Sequence, residues 1–244
     1  MTTLIFDIET VGEDFDAMDA TTQHVMTKWI REQAKDEEEY GQELARIKGR
    51  LGFSPFTSEI VTIGTLVIDD AGNERGAVYF QAPGKDVATF EEGGVKFEPM
   101  DEARMLEKFW ELAKYAQVFV GFNSRGFDAP FIIMRSATHR IRPTVDLMGG
   151  RYFYQQKGVK HVDLMDQLQF YGAVWKRPNL NLVTRAFGIE SPKADGVTGD
   201  DVAPLFKSGE YEKIARYNLG DLRATRELYR TWQSFVLPAT GERY

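Results

Sequence analysis

Apolar positions alternate or cluster in three short stretches: TTLIFDI at residues 2 to 8, EIVTIGTLVID at 59 to 69 and GAVYFQA at 76 to 82. Period-two spacing and abundant branched side chains predict a β-strand for each, with DDAGNERG as the turn between the second and third. Residues 19 to 50 differ: they are densely charged and free of Gly and Pro until Gly41. That pattern predicts helical structure inserted between the first two strands, at about 12 to 55.

From 101 to 116 the period changes to that of a helix, with Met105, Leu106, Phe109, Trp110, Leu112 and Ala113 on one stripe. QVFVGFN then predicts a short buried strand. FDAPFIIMRSATHR predicts a second helix, with Asp128 near its N-terminus, where the helix dipole favours an acid, and with Pro130 tolerated in the first turn. HVDLMDQLQFYG, NLNLVTRAFG and TGDDVAPLFKSG read as short elements, and a long helix closes the chain from about Glu210 to Phe235. Strands followed by alternating helices and strands predict an α/β fold with a mixed sheet. All 244 residues are expected to form one domain, the insertion being an excursion from it.

Composition narrows the chemistry. At 43% hydrophobic the chain can bury a large core, yet no window approaches the roughly 18 apolar residues that span a bilayer. No membrane partner and a cytoplasmic location are therefore expected. The absence of cysteine excludes disulfides and thiolate metal sites, so a metal would rest on oxygen ligands or on His24, His139 and His161, which argues against zinc. A net charge of -7 argues against a general nucleic-acid coating protein. Residues 135 to 193 are nevertheless basic on balance, which suits either a short stretch of polyanion or a solvated face.

Three places carry candidate chemistry. Asp7 and Glu9 are two apart on a strand and so project from one face, where two ionised carboxylates repel unless a hard cation such as Mg²⁺ or Mn²⁺ compensates. A strand-end surface pair is the alternative, and a second D-x-E, Asp36 to Glu38, sits in the solvated insertion. Asp128 reads either as a helix cap or as a ligand. Tyr217 and Asp221, the only Tyr-x3-Asp in the chain, lie one turn apart on the last helix, and Gly220 between them points to a close approach of that helix.

Together, in this order, D-x-E on the first strand, Asp at the start of a later helix and Tyr-x3-Asp near the end resemble the DEDD 3'-5' exonucleases, in the subgroup with tyrosine. FDIET, GFNSRGFDAPFI, HVDLMDQLQFYG and KSGEYEKIARYNLGDLRATRELY are similar to the predicted exonucleases related to the proofreading domain of family B DNA polymerases. The resemblance covers the chain except about 12 to 55, and implies a ribonuclease H-like fold with a five-stranded mixed sheet flanked by helices.

It also implies a mechanism. Asp7, Glu9, Asp128 and Asp221 would hold two divalent cations, Mg²⁺ or Mn²⁺, with Asp7 bridging them, Glu9 and Asp221 on the ion that binds water, and Asp128 on the other. Tyr217 would orient the attacking water. The substrate would be the 3' end of single-stranded nucleic acid, DNA favoured, releasing nucleoside 5'-monophosphates. Thr10, Phe122, Asn123 and Phe127 are implied contacts to the terminal nucleotides, with core packing an equal reading for Phe127. Arg151, Lys157 and Lys160 are candidate phosphate contacts or residues of a solvated loop. Asp163 reads as a hydrogen-bond acceptor, and His161 as a packing residue rather than a ligand. The alternative function is a weak or inactive nuclease-fold protein that binds nucleic acid, or a protein partner through the acidic insertion.

Overall fold

The structure is a computed structural model, which describes residues 1–174, 176–190 and 196–238. Strand β1 (Thr3–Gly12) is an interior strand of a mixed sheet. The insertion follows as a 3-10 turn at Phe15–Ala17, two helices, α1 (Ala20–Gln33) and α2 (Glu37–Lys48), and a second 3-10 turn at Leu51–Phe53. Asp19 caps α1 and Asp36 caps α2, so the charged run breaks where its own aspartate can accept from the next helix's amides.

Strands β2 (Ser58–Ile68) and β3 (Glu74–Phe80) continue antiparallel from β1, with Asp69 and Gly72 turning the chain between them. Two further strands, β4 (Phe90–Glu92) and β5 (Val95–Pro99), extend this edge. Helix α3 (Glu102–Ala113), strand β6 (Val118–Gly121) and helix α4 (Asp128–Thr138) come next, then β7 (Lys160–Asp163) and α5 (Leu164–Leu168). Helices α6 (Leu180–Ala186), α7 (Val202–Lys207) and the long α8 (Tyr211–Thr231) complete the chain, α8 running into a π-helical turn at Trp232–Val236.

The sheet order is β4-β5-β3-β2-β1-β6-β7. The sheet has seven strands rather than the expected five, because the short hairpin β4-β5 joins the edge parallel to β3 through Gly76–Phe80. Alternation along β1 separates two cores. Leu4, Phe6 and Ile8 pack with α3 and α4, while Ile5 packs with Leu66, Val120, Leu219 and Leu222 beneath α8. Asp7 and Glu9 share the face of Ile5, and their positions are therefore set by the strand's period.

One buried ion cluster fixes α4. Glu102, 5% exposed, accepts from Ile60 N–H at 2.7 Å, from Arg135 at 2.8 and 2.6 Å, and pairs with His139 Nε2 at 2.7 Å. It ties α3, β2 and α4 together. Among the described residues, no helix is long and apolar enough to cross a membrane.

Candidate active site

The end of β1 is where the sheet stops protecting its own backbone. β6 pairs with β1 only over Thr3 to Ile5, so the strand edge beyond lies open on that side. Asp128 closes it: its Oδ1 accepts from Ile8 N–H at 3.0 Å. Helices α1, α2, α3, α5 and α6 are capped by an Asp or Asn side chain, but α4 begins at Phe127 without a side-chain cap. The Asp128 carboxylate meets Ile8 N–H and its own amide instead of capping the following turn.

A register shift between Glu9 and Thr10 against β2 re-aims the strand just past Glu9. Across the ladder, Asp7 faces Gly64 and Glu9 faces Thr62. Gly64 is required there: a Cβ would stand 2.0 Å from Asn218 Oδ1 and 2.5 Å from Leu222 Cδ1. That close contact lets α8 lie directly over the carboxylates. Asp221 comes down beside them, and oxygen atoms of Asp7, Glu9 and Asp221 lie within 4.8 Å of one another. Asn218 Nδ2 donates to Asp7 Oδ2 at 2.8 Å.

Electrostatics follow from crowding. Desolvation, then the charges of Asp128, Asp221 and Glu9, hold the Asp7 carboxyl well above its usual range, against the Asn218 hydrogen bond. Glu9 is raised by desolvation, Asp221 and Asp128. Burial pushes Asp128 up to about 7, despite the bond from Ile8. Burial also raises the Tyr217 phenol far above its usual range, aided by Asp221, Glu9 and Asp7; its hydroxyl is hydrogen-bonded to Asp221. The leading influences on Asp7, Glu9 and Asp128 are burial, hydrogen bonds and other carboxylates, with no lysine or arginine among them. Two buried polar atoms beside the cluster, Thr62 Oγ1 and Asn218 Oδ1, have no hydrogen-bond partner among the described residues. Oxygen donors, mutual repulsion and unpartnered polar atoms form a set that fits hard divalent cations.

The other sequence candidates divide. Thr10 Oγ1 donates to Gly52 O at 2.6 Å, linking the site to the insertion. Phe122 packs on the α8-side core, while Phe127 packs on the α4-side core and against Phe131 at 4.7 Å between ring centres. The Asn123 and Arg125 amides donate to the two oxygens of Asp163, 2.9 Å each, and Asp163 also accepts from Met165 N–H. Asp163 thus shapes the loop that leads to Asp128. His161 is buried between Ser124 Oγ and Leu147 O, 2.9 Å from each, and burial pushes its pKa down to about 4. Arg151 is held bidentate by Asp166, and Lys160 donates to the carbonyls of Phe153 and Gln156, whereas Lys157 is exposed. Arg151 also lines a polar cleft of about 250 Å³ with Asn123, Arg125 and Arg177.

Asn218 is the site residue that motif spacing does not reveal. Its signal is a polar position inside the apolar stripe Ile214, Ala215, Leu219 and Leu222.

A mixed sheet flanked by helices in this order is the ribonuclease H-like fold of a polymerase exonuclease domain. The chain belongs to the family described as predicted 3'-5' exonucleases related to the exonuclease domain of PolB, whose model matches residues 84–241. That span includes Asp128, Tyr217 and Asp221 but not Asp7 and Glu9. Among solved structures, the family B DNA polymerase from the hyperthermophilic archaeon Pyrobaculum calidifontis is similar in fold, with a TM-score of 0.53 and 21% identity. The match covers 95% of this chain and 24% of the polymerase chain. No curated protein matches the sequence.

Proposed function

We propose that the protein is a metal-dependent 3'-5' exonuclease that hydrolyses single-stranded nucleic acid, DNA in preference, to nucleoside 5'-monophosphates. The observation that carries this reading is the convergence of Asp7, Glu9 and Asp221 within 4.8 Å, with Asp128 bonded to the backbone between the two strand acids. Asp7, Glu9, Asp128 and Asp221 would hold two divalent cations, which when bound supply an activated water and stabilise the leaving 3'-oxygen.

The chain's own groups do the positioning. Asn218 fixes the orientation of Asp7, and Ile8 N–H fixes that of Asp128. Tyr217 keeps its proton at neutral pH, because burial and neighbouring carboxylates penalise the phenolate. A phenol that keeps its proton is suited to hold and orient a water, not to take a proton from it. Asp163, through the Asn123 and Arg125 amides, sets the loop on which a terminal nucleotide would rest.

A single-stranded oligonucleotide labelled at its 5' end, incubated with Mg²⁺ or Mn²⁺, should shorten as a ladder from the 3' end. Circular single strands should survive, and Asp7→Asn should leave the linear substrate intact. A well-folded preparation that produces no ladder from DNA or RNA would overturn the proposal and favour a binding protein. Cleavage of circles would make it an endonuclease. Parallel DNA and RNA substrates of one sequence test the DNA preference directly.

A further inference from the structure

The insertion returns to the sheet beside the carboxylates, and it arrives with an aromatic ring facing outward. Its last segment is firmly held. Leu51 is buried, Thr57 Oγ1 donates to Leu51 O at 2.8 Å, and Ser58 Oγ donates to Ser54 O at 2.5 Å. Gly12, at the end of β1, meets it so closely that a Cβ there would stand 2.6 Å from Leu51 Cβ and 2.8 Å from Gly52 N. Phe53 sits on this fixed segment and is nonetheless 65% exposed.

Two separate links place Phe53 at the site. Gly52, the preceding residue, receives the Thr10 hydroxyl next to Glu9. The Phe53 ring meets the edge of Phe127, 6.4 Å between centres, next to Asp128. Phe127 is itself seated on Phe131 and the α4-side core, so Phe53 has a rigid support on one side and solvent on the other. A large apolar ring left in water on an ordered wall of the site offers a face at little conformational cost. Nucleobases are the flat partners that a nucleic-acid hydrolase brings to that wall, and every base has a face to stack.

We propose that Phe53 is the platform on which the base of the substrate's 3'-terminal nucleotide stacks, making the insertion part of the substrate site. The proposal rests on the exonuclease reading. Phe53 is a positioning residue, since it holds the base and touches no reacting atom.

Kinetics on labelled single strands test it. Phe53→Ala should raise KM about tenfold with kcat nearly unchanged, as expected for the loss of one base stack. Phe53→Tyr should restore KM, and melting temperatures should match because the ring is mostly exposed. On a substrate whose 3'-terminal nucleotide is abasic, wild type and Phe53→Ala should have the same KM. Unchanged KM for Phe53→Ala on the natural substrate would overturn the proposal, and so would a penalty that persists on the abasic one. Binding of an oligonucleotide ending in 2-aminopurine, measured in EDTA, separates the two readings. Wild type should quench the terminal base and Phe53→Ala should not. Quenching without hydrolysis by wild type sinks the exonuclease reading alone, and hydrolysis without quenching sinks the stacking proposal alone.

Discussion

Asp7 is crowded by acids and steadied by one amide. The Asn218 Nδ2 bond to Asp7 Oδ2 is charge-assisted, and such bonds contribute about 1.5 to 3 kcal/mol. Asn218→Ala should therefore lower the melting temperature and, assayed well below it, still lower kcat on the order of tenfold or more, because Asp7 loses the bond that orients it. A stability loss with kcat unchanged well below the melting temperature would make Asn218 a packing residue only. Tyr217→Phe keeps the ring and removes the hydroxyl that meets Asp221; it should cut kcat roughly a hundredfold while divalent-ion binding, measured by calorimetry, stays as in wild type. Undiminished kcat would remove Tyr217 from the mechanism. Strand and helix periods put Asp7 with Glu9, and Tyr217 with Asp221, on common faces, and the structure brings Asp7, Glu9 and Asp221 together. Asn218 was not legible from period, since its meaning depends on a strand more than 150 positions earlier in the chain. Charge alone also left Arg151 and Lys160 ambiguous, because it does not say that Asp166 and two loop carbonyls engage them.

Helix α8 lies close against β2 at Gly64. Gly64→Ala would drive a methyl group into Asn218 and Leu222, both held in a packed layer, and α8 would have to lift. Overpacking of this kind costs typically 1 to 3 kcal/mol, and here it also displaces the helix that carries Tyr217 and Asp221. Denaturant midpoint and kcat should fall together. Gly41→Ala is the control: Gly41 lies exposed inside α2, nothing stands within 4 Å of its new methyl, and the helix should gain about 0.5 to 1 kcal/mol with unchanged activity. Unchanged behaviour of Gly64→Ala would mean that α8 is looser than its contacts imply. Long amphipathic or alternating segments such as β2, α3 and α8 were legible from period alone. The hairpin β4-β5 was not, for its strands have three and five residues and only their place beside β3 makes them strands. Gly64, on β2, makes a close approach to α8 that the sequence did not mark.

At the scale of the whole molecule, two opposed titrations share one pH window. Asp7, Glu9 and Asp128 hold protons more tightly folded than unfolded, Asp128 up to about 7 against roughly 4 in an unfolded chain. The contribution of Asp128 to stability is present at low pH and is lost as pH rises through that range, and Asp7 and Glu9 act in the same direction. His161 has the reverse sign: it titrates at about 4 folded and about 6.5 unfolded, so it withdraws stability as pH falls from 6.5 to 4, on the order of 3 kcal/mol. Glu102 acts in the same direction as His161. Burial would raise its pKa, but Arg135, Ile60 N–H and His139 outweigh that and lower it, so its support is lost at acid pH. Three crowded carboxylates outweigh one histidine, and the metal-free protein should melt at a lower temperature at pH 7 than at pH 5. Divalent cations that bind the carboxylates as anions cancel the first contribution, leaving His161 and Glu102 to set the slope. With saturating Mg²⁺ or Mn²⁺ the melting temperature should then rise from pH 5 to pH 7, and the difference between the two curves should widen with pH. Asp7→Asn should flatten that difference. Parallel curves with and without cation would mean that the acids are not the ligands, whatever their proximity.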